Sequence, residues 1–263
     1  MLTFTTAQWD QLIAVYFWPF VRILAIFMAD PVFGNRAIPN RVKVALAVFV
    51  SLAITPLLDP PPPISPGTAM GLWVLAQQIL IGVAIGFSMR IVFAGIELAG
   101  SLIGLQMGLG FANFFDPINS AQAPVVGQFF GILAVLFYFT FDGHLLLLAA
   151  LAESFHLLPV QAAPPNPTAW SMIAQSGGQI FLIGVVLSLP VVGVLLVSNV
   201  AIGIMTRAAP TLNLFAIGFP ITLLVGMLMM YATFPYFVPV FERVLHEGIG
   251  MIIDMLRATA GTP

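Results

Sequence analysis

Apolar residues in this chain do not alternate with polar ones. They come in long blocks, separated by short polar or proline-rich breaks. Six blocks run from Leu12 to Ala29, Val42 to Leu58, Ala69 to Ala112, Val125 to Leu151, Trp170 to Thr206 and Leu212 to Phe241. A tail from Glu242 to Arg257 follows. Each block predicts helix, because an apolar run in lipid must satisfy its own backbone hydrogen bonds. The breaks are DPVFGNRAIPNR (30–41), the stiff polyproline connector DPPPPISPG (59–67), FDPINSAQAP (115–124), LPVQAAPPNPTAW (158–170) and APTLN (209–213).

The block lengths do not match simple membrane crossings, which take about 20 residues each. Ala69 to Ala112 is 44 residues with neither proline nor polar turn. It predicts either two crossings with a hidden break near Arg90 or one long helix that leaves the hydrocarbon. Trp170 to Thr206 is 37 residues, and Pro190 near its middle predicts a kink. In the tail, Arg243, Glu247, Asp254 and Arg257 fall near one helical face, and Val244, Leu245, Ile249, Ile252, Ile253 and Leu256 occupy the rest. That pattern is an amphipathic helix at an interface or against a partner, or a solvated final turn after a span.

Composition narrows the class. The chain is 60% hydrophobic and 7% charged, where a soluble domain carries about 25% charge. Eight Lys/Arg and ten Asp/Glu cannot cover 263 residues with a water-facing surface. Disorder is excluded as well, since it needs low hydrophobicity and high charge. The net charge of −2 offers no basic field, so no nucleic-acid partner is expected. Without cysteine there is no disulfide, thiolate metal site or Cys nucleophile. The N-terminal stretch MLTFTTAQWDQ lacks a basic region, so the first block is expected to stay in the mature protein. Arg36, Arg41 and Lys43 form the one basic cluster, which votes for a cytoplasmic first loop.

Candidate chemistry is sparse. Gly100, Gly104 and Gly108 recur every four residues, as do the pairs Gly82/Gly86 and Gly127/Gly131. That spacing lines one helix face with small residues and admits a close neighbour, from another subunit or from this chain. Arg22, Arg90, Glu97 and Asp142 are charges inside apolar blocks, each costing about 2.5–3.5 kcal/mol on the insertion scale. They form a charge pathway, or each pairs with another helix or sits outside the hydrocarbon. His144 and His156 lie close in sequence to Asp142 and Glu153, but no HExxH or similar metal spacing exists. There is no GxSxG, Walker loop or dinucleotide fingerprint, so neither an enzyme nor a cofactor is expected.

The most unusual local feature is Met107-Gly108-Leu109-Gly110-Phe111-Ala112-Asn113-Phe114-Phe115-Asp116-Pro117. Closely spaced glycines permit a break in the helix. The phenylalanines either fill a constriction that excludes water and ions or anchor an interfacial loop.

Three stretches carry a family likeness: GIELAGSLIGLQMGLGFANFFDP (95–117), FDGHLLLLAALAESFHLLP (141–159) and LPVVGVLLVSNVAIGIMTRAAPTLNLFAIGFPITLLVG (189–226). Through them the chain resembles the FliR/SctT family of type III secretion export-gate subunits, over nearly its whole length. Thr211 departs from the family, which often has Gln there. The resemblance implies an all-α integral membrane protein of long, bent helical hairpins packed in a hetero-oligomeric helical pore assembly. It implies a FliP-like part over 1–170 and a FliQ-like hairpin with the amphipathic tail over 171–263. It implies FliP, FliQ and FlhB as gate partners in the bacterial inner membrane, at the flagellar basal body, with unfolded flagellar proteins as cargo. It also implies that Gly108 to Asp116 plugs the closed pore. The injectisome homologue shares this chemistry. A secondary transporter or ion channel is the rival suggested by Arg90, Glu97 and Asp142.

Overall fold

Helices and the turns that join them make up the described chain. The computed structural model describes residues 6–111, 124–161, 168–209 and 214–260, and no strand occurs among them. The helices are α1 (Thr6–Ala29), α2 (Asn40–Ile54), α3 (Ala69–Gln106), α4 (Val125–Thr140), α5 (Gly143–Leu157), α6 (Thr168–Ser176), α7 (Gly178–Ala208) and α8 (Leu214–Ala260). Local chemistry sets several of their ends. Asp30 closes α1: its Oδ1 accepts the backbone N–H groups of Val32 and Phe33, each at 2.8 Å. Pro39 precedes α2, and Pro56 sits in the 3-10 turn Thr55–Leu57 that follows it. Thr68 caps α3 by accepting the Gly71 N–H on its hydroxyl at 3.0 Å.

Of the two readings of the third block, the single long helix holds: α3 is one helix of 38 residues, about 57 Å long, with no break near Arg90. A charge does not interrupt a helix when its side chain can leave the apolar face, and Arg90 is exposed. The fourth block is two helices. Asp142 separates α4 from α5 in a left-handed conformation, φ 54°. The fifth block is also two helices, parted at Gly177, and Pro190 lies inside α7. The tail is no separate helix: α8 runs unbroken for 47 residues, with Pro220, Pro235 and Pro239 inside it.

Four helical stretches among the described residues are long and apolar enough to cross a membrane: Asn40–Leu57, Ala69–Gln106, Ser171–Ala208 and Ile217–Ala260. The pair α4 and α5 makes a fifth if its two helices form one bent span. The chain is therefore an all-α membrane protein.

Its residues form two compact units, each discontinuous in sequence. Unit 1 comprises 1–91, 142–176 and 246–263; unit 2 comprises 92–141 and 177–245. In unit 1, Ala14, Trp18, Val74 and Val160 form a buried cluster, with Phe17, Ile64 and Leu75 packed around it. In unit 2 the core is aromatic. Phe130 meets Phe237 edge-on at 5.5 Å and Phe241 at 6.3 Å, and Phe93 meets Tyr138 edge-on at 5.8 Å.

Candidate functional site

The end of α3 carries the motif that stood out in the sequence. The helix continues its hydrogen bonding into Met107, whose N–H reaches the Ile103 carbonyl at 2.9 Å. Gly108 then takes φ 85°, a conformation that only glycine adopts without steric cost. A 3-10 turn, Leu109–Phe111, follows. Met107 itself is buried. A β-carbon added at Gly226 would stand 2.5 Å from the Met107 Cγ, so Gly226 leaves the space that this side chain fills. Thr222 donates its hydroxyl to the Met107 carbonyl at 3.1 Å, one turn before Gly226 on α8. Two contacts from α8 thus fix the residue before the glycine swivel. Leu109 and Gly110 are half-buried. The Phe111 side chain and Asn113, Phe114, Phe115 and Asp116 lie outside the described residues.

Gly82, Gly86, Gly100, Gly104, Gly127 and Gly131 each meet neighbours from this chain. In unit 1, Gly82 packs on Arg22 and Ala25 of α1, and Gly86 on Ile26, Ala29 and Asp30. In unit 2, Gly100 faces the Val126 carbonyl and Gly127, and Gly104 faces the Val126 side chain. Gly127 returns the contact to Ser101, and Gly131 receives the Glu97 side chain. By contrast, a β-carbon at Gly193 or Gly203 of α7 would meet nothing within 4 Å.

The interior charges are handled one by one. Arg22 is fully buried in unit 1. Its Nε donates to the Gln78 Oε1 at 2.8 Å. Its Nη1 donates to the Ser154 carbonyl at 2.8 Å and hydroxyl at 3.1 Å, and its Nη2 to the Leu158 carbonyl at 2.8 Å. The guanidinium carbon lies 4.0 Å from the centroid of the Phe155 ring. Neutral acceptors and a ring face therefore hold this cation. Arg90 is exposed and acts electrostatically on Asp30. Asp142 is exposed, and its backbone carbonyl opens α5 by accepting the Leu145 and Leu146 N–H groups. Glu97 packs its side chain on Gly131.

Sequence reasoning missed Asp30, which is buried although it lies in a polar turn. Burial pushes its carboxyl up to about 6, against the opposing pull of the Phe33 and Val32 N–H groups and of Arg90. Its Oδ2 has no hydrogen-bond partner among the described residues. It also missed the acceptors of Arg22. Gln78 and Ser154 lie 56 and 132 residues away, and no local spacing announces them. No group of three or more potential metal ligands occurs among the described residues.

Comparison with known proteins bears on what this architecture serves. Residues 13–248 match the profile of the bacterial export proteins, family 1. The flagellar biosynthetic protein FliR of Pectobacterium carotovorum subsp. carotovorum is 46% identical over 259 residues, covering 97% of this chain and 98% of that protein. The protein of the same name from Escherichia coli K12 is 41% identical over 256 residues, with 97% and 98% covered. Its Bacillus subtilis 168 namesake is 34% identical over 214 residues, with 80% and 82% covered.

Proposed function

The chain belongs to the bacterial export proteins, family 1, and from that premise we propose that it is a non-enzymatic subunit of the flagellar protein export gate. Together with FliP and FliQ it forms the entry pore for unfolded flagellar proteins, in the inner membrane at the basal body, with FlhB associated. Residues 1–170 act as the FliP-like part and 171–263 as the FliQ-like hairpin. The observation that carries the reading is the near full-length likeness to flagellar relatives, which also favours the flagellar branch over the injectisome.

The hydrophobic segment from Met107 to Asp116 closes the pore in this reading. Two features support it. Gly108, just past the end of α3, takes φ 85°, and Met107 is anchored to Thr222 and Gly226 just before it. A segment rooted in packed helices and released at a glycine can be displaced without unpacking its base. The open apolar side chains of α7, such as Phe181, Val197 and Val200, are where FliP and FliQ would pack.

The test deletes Gly110–Phe115 and measures ion or small-molecule leak across the membrane, with assembly confirmed by co-purification. The expected result is a leak from a gate that still assembles. An unchanged leak in a confirmed assembly would end the plug assignment. Monodisperse recovery should be far better with FliP and FliQ co-expressed than without them; equal recovery would refute the subunit assignment.

A further inference from the structure

Unit 1 contains a cavity of about 310 Å³ that none of the packing or plug features uses. It lies between α1, the polyproline connector and the end of α5. Tyr16 and Pro19 come from α1, Asp59 and Pro60 to Pro62 from the connector, and Phe155, His156 and Pro159 from α5 and its exit. The volume is at the lower end of the range of roughly 300–1,000 Å³ that holds small ligands, and suits one long side chain.

The lining has an unusual balance of hydrogen-bonding groups. Six of its fourteen residues are proline, which contributes a carbonyl but no N–H. Asp59 adds a carboxylate, and it is exposed with no hydrogen bond among the described residues. No Lys or Arg lines the cavity, and His156 is the one basic side chain in its wall. The Tyr16 and Thr55 hydroxyls and His156 are the side-chain donors of the wall, and Asp59 is its one acidic residue. Rings and proline faces supply the apolar remainder. Proline also fixes the backbone, so the cavity keeps its shape and little ordering cost attends binding.

The adjoining interior shows what such surroundings accept. On Phe155 rests the Arg22 guanidinium, held by carbonyls and neutral side chains, with its N–H groups directed to Gln78, Ser154 and Leu158. Arg22 is fully buried, and the Asp59 carboxylate faces solvent. Charge complementarity at the open rim therefore selects a cation with several donors and an apolar stem. We propose that this cavity binds the basic side chain, Arg or Lys, of another polypeptide. The stem lies along Tyr16 and the prolines, and the head meets Asp59 and the connector carbonyls. The inference does not depend on the plug reading, and its test leaves the plug segment untouched.

The full chain in detergent micelles is titrated with Nα-acetylarginine amide, Nα-acetyllysine amide and the neutral Nα-acetylcitrulline amide, read by saturation-transfer NMR. Both cationic probes should bind saturably, and the citrulline probe about fivefold more weakly. Asp59→Asn should weaken the arginine probe by about the same factor, and Asp59→Lys should abolish its binding. Equal binding of the citrulline probe to the unmodified chain, or an arginine affinity unchanged in a folded Asp59→Asn, overturns the site. The second arm distinguishes a polypeptide side chain from a free amine. A photo-crosslinking residue at Leu58, in intact membranes, should give one adduct mapped beside a Lys or Arg of another chain, lost in Asp59→Lys. No adduct, or one far from any basic residue, overturns the assignment to a polypeptide.

Discussion

One substitution made at two glycines should move stability in opposite directions. At Gly100 an added β-carbon would lie 2.5 Å from the Val126 carbonyl oxygen and 2.9 Å from the Gly127 Cα. Both obstacles are backbone, so neither can rotate away. To reach the 3.4 Å at which ordinary contact begins, the α4 backbone must retreat by about 0.9 Å. Against backbone that cannot rotate away, overpacking costs the upper end of the usual range, about 3 kcal/mol. The helix-propensity gain of alanine over glycine, about 1 kcal/mol, offsets part of it. At Gly193 the same methyl group meets nothing within 4 Å, so only the propensity gain remains. The assay heats a fluorescent fusion of the chain in mild detergent and follows the monodisperse peak. With roughly 2–4 °C per kcal/mol for a chain of this size, Gly100→Ala should lose several degrees and Gly193→Ala should gain a few. If Gly100→Ala melts with the unmodified chain, or if both variants fall equally, the close α3–α4 approach is not what that glycine serves.

Other outcomes follow from single residues. The Asp30 carboxyl is raised from 3.8 to about 6 in the folded chain, so the folded form holds its proton more tightly than the unfolded one. Its contribution to stability is full below about pH 4 and is lost as pH rises through about 6. Asp30→Asn keeps the Oδ1 acceptor and should flatten this part of the pH–melting profile; a profile with the original slope refutes the assignment. Arg22→Lys should cost more than about 2 kcal/mol, because one ammonium cannot reach the separate acceptors Gln78, Ser154 and Leu158, and melting in detergent reads it. Asp142→Gly should raise the melting temperature by the equivalent of about 1 kcal/mol, by relieving the left-handed backbone at φ 54°. Gly226→Val should displace Met107, whose Cγ stands 2.5 Å from the added carbon, and lower the melting temperature in detergent by several degrees.

The helical class and the membrane setting were legible in the blocks, because lipid forces a single solution for the backbone. The boundaries were less so, for identifiable reasons. Arg90 left a broken and an unbroken α3 both open, and a charge on an exposed side chain leaves the backbone ladder intact. Asp142-Gly143 is a turn signal, and its apolar surroundings masked it in the reading of one block from Val125 to Leu151. The charges that begin at Glu242 left an amphipathic helix and a final turn after a span both open, and α8 continues through that point. The glycine spacings pointed to close packing, and only the folded chain supplies the neighbours. The surroundings of Arg22 were out of reach, since its acceptors come from α3 and from the end of α5, which meet α1 only after folding.

The division into units also sets a timetable for synthesis. Leu98 and Phe130 leave the ribosome early, but Gly184, Phe237 and Phe241, which pack on them, are made much later. Unit 1 likewise includes 246–263, which follow every residue of unit 2. Neither unit closes until α8 has been made, so the early helices must wait with apolar faces uncovered. Lipid is the cover available meanwhile, and insertion has to keep pace with elongation to prevent aggregation. A product stalled before α8 would leave both units open at once.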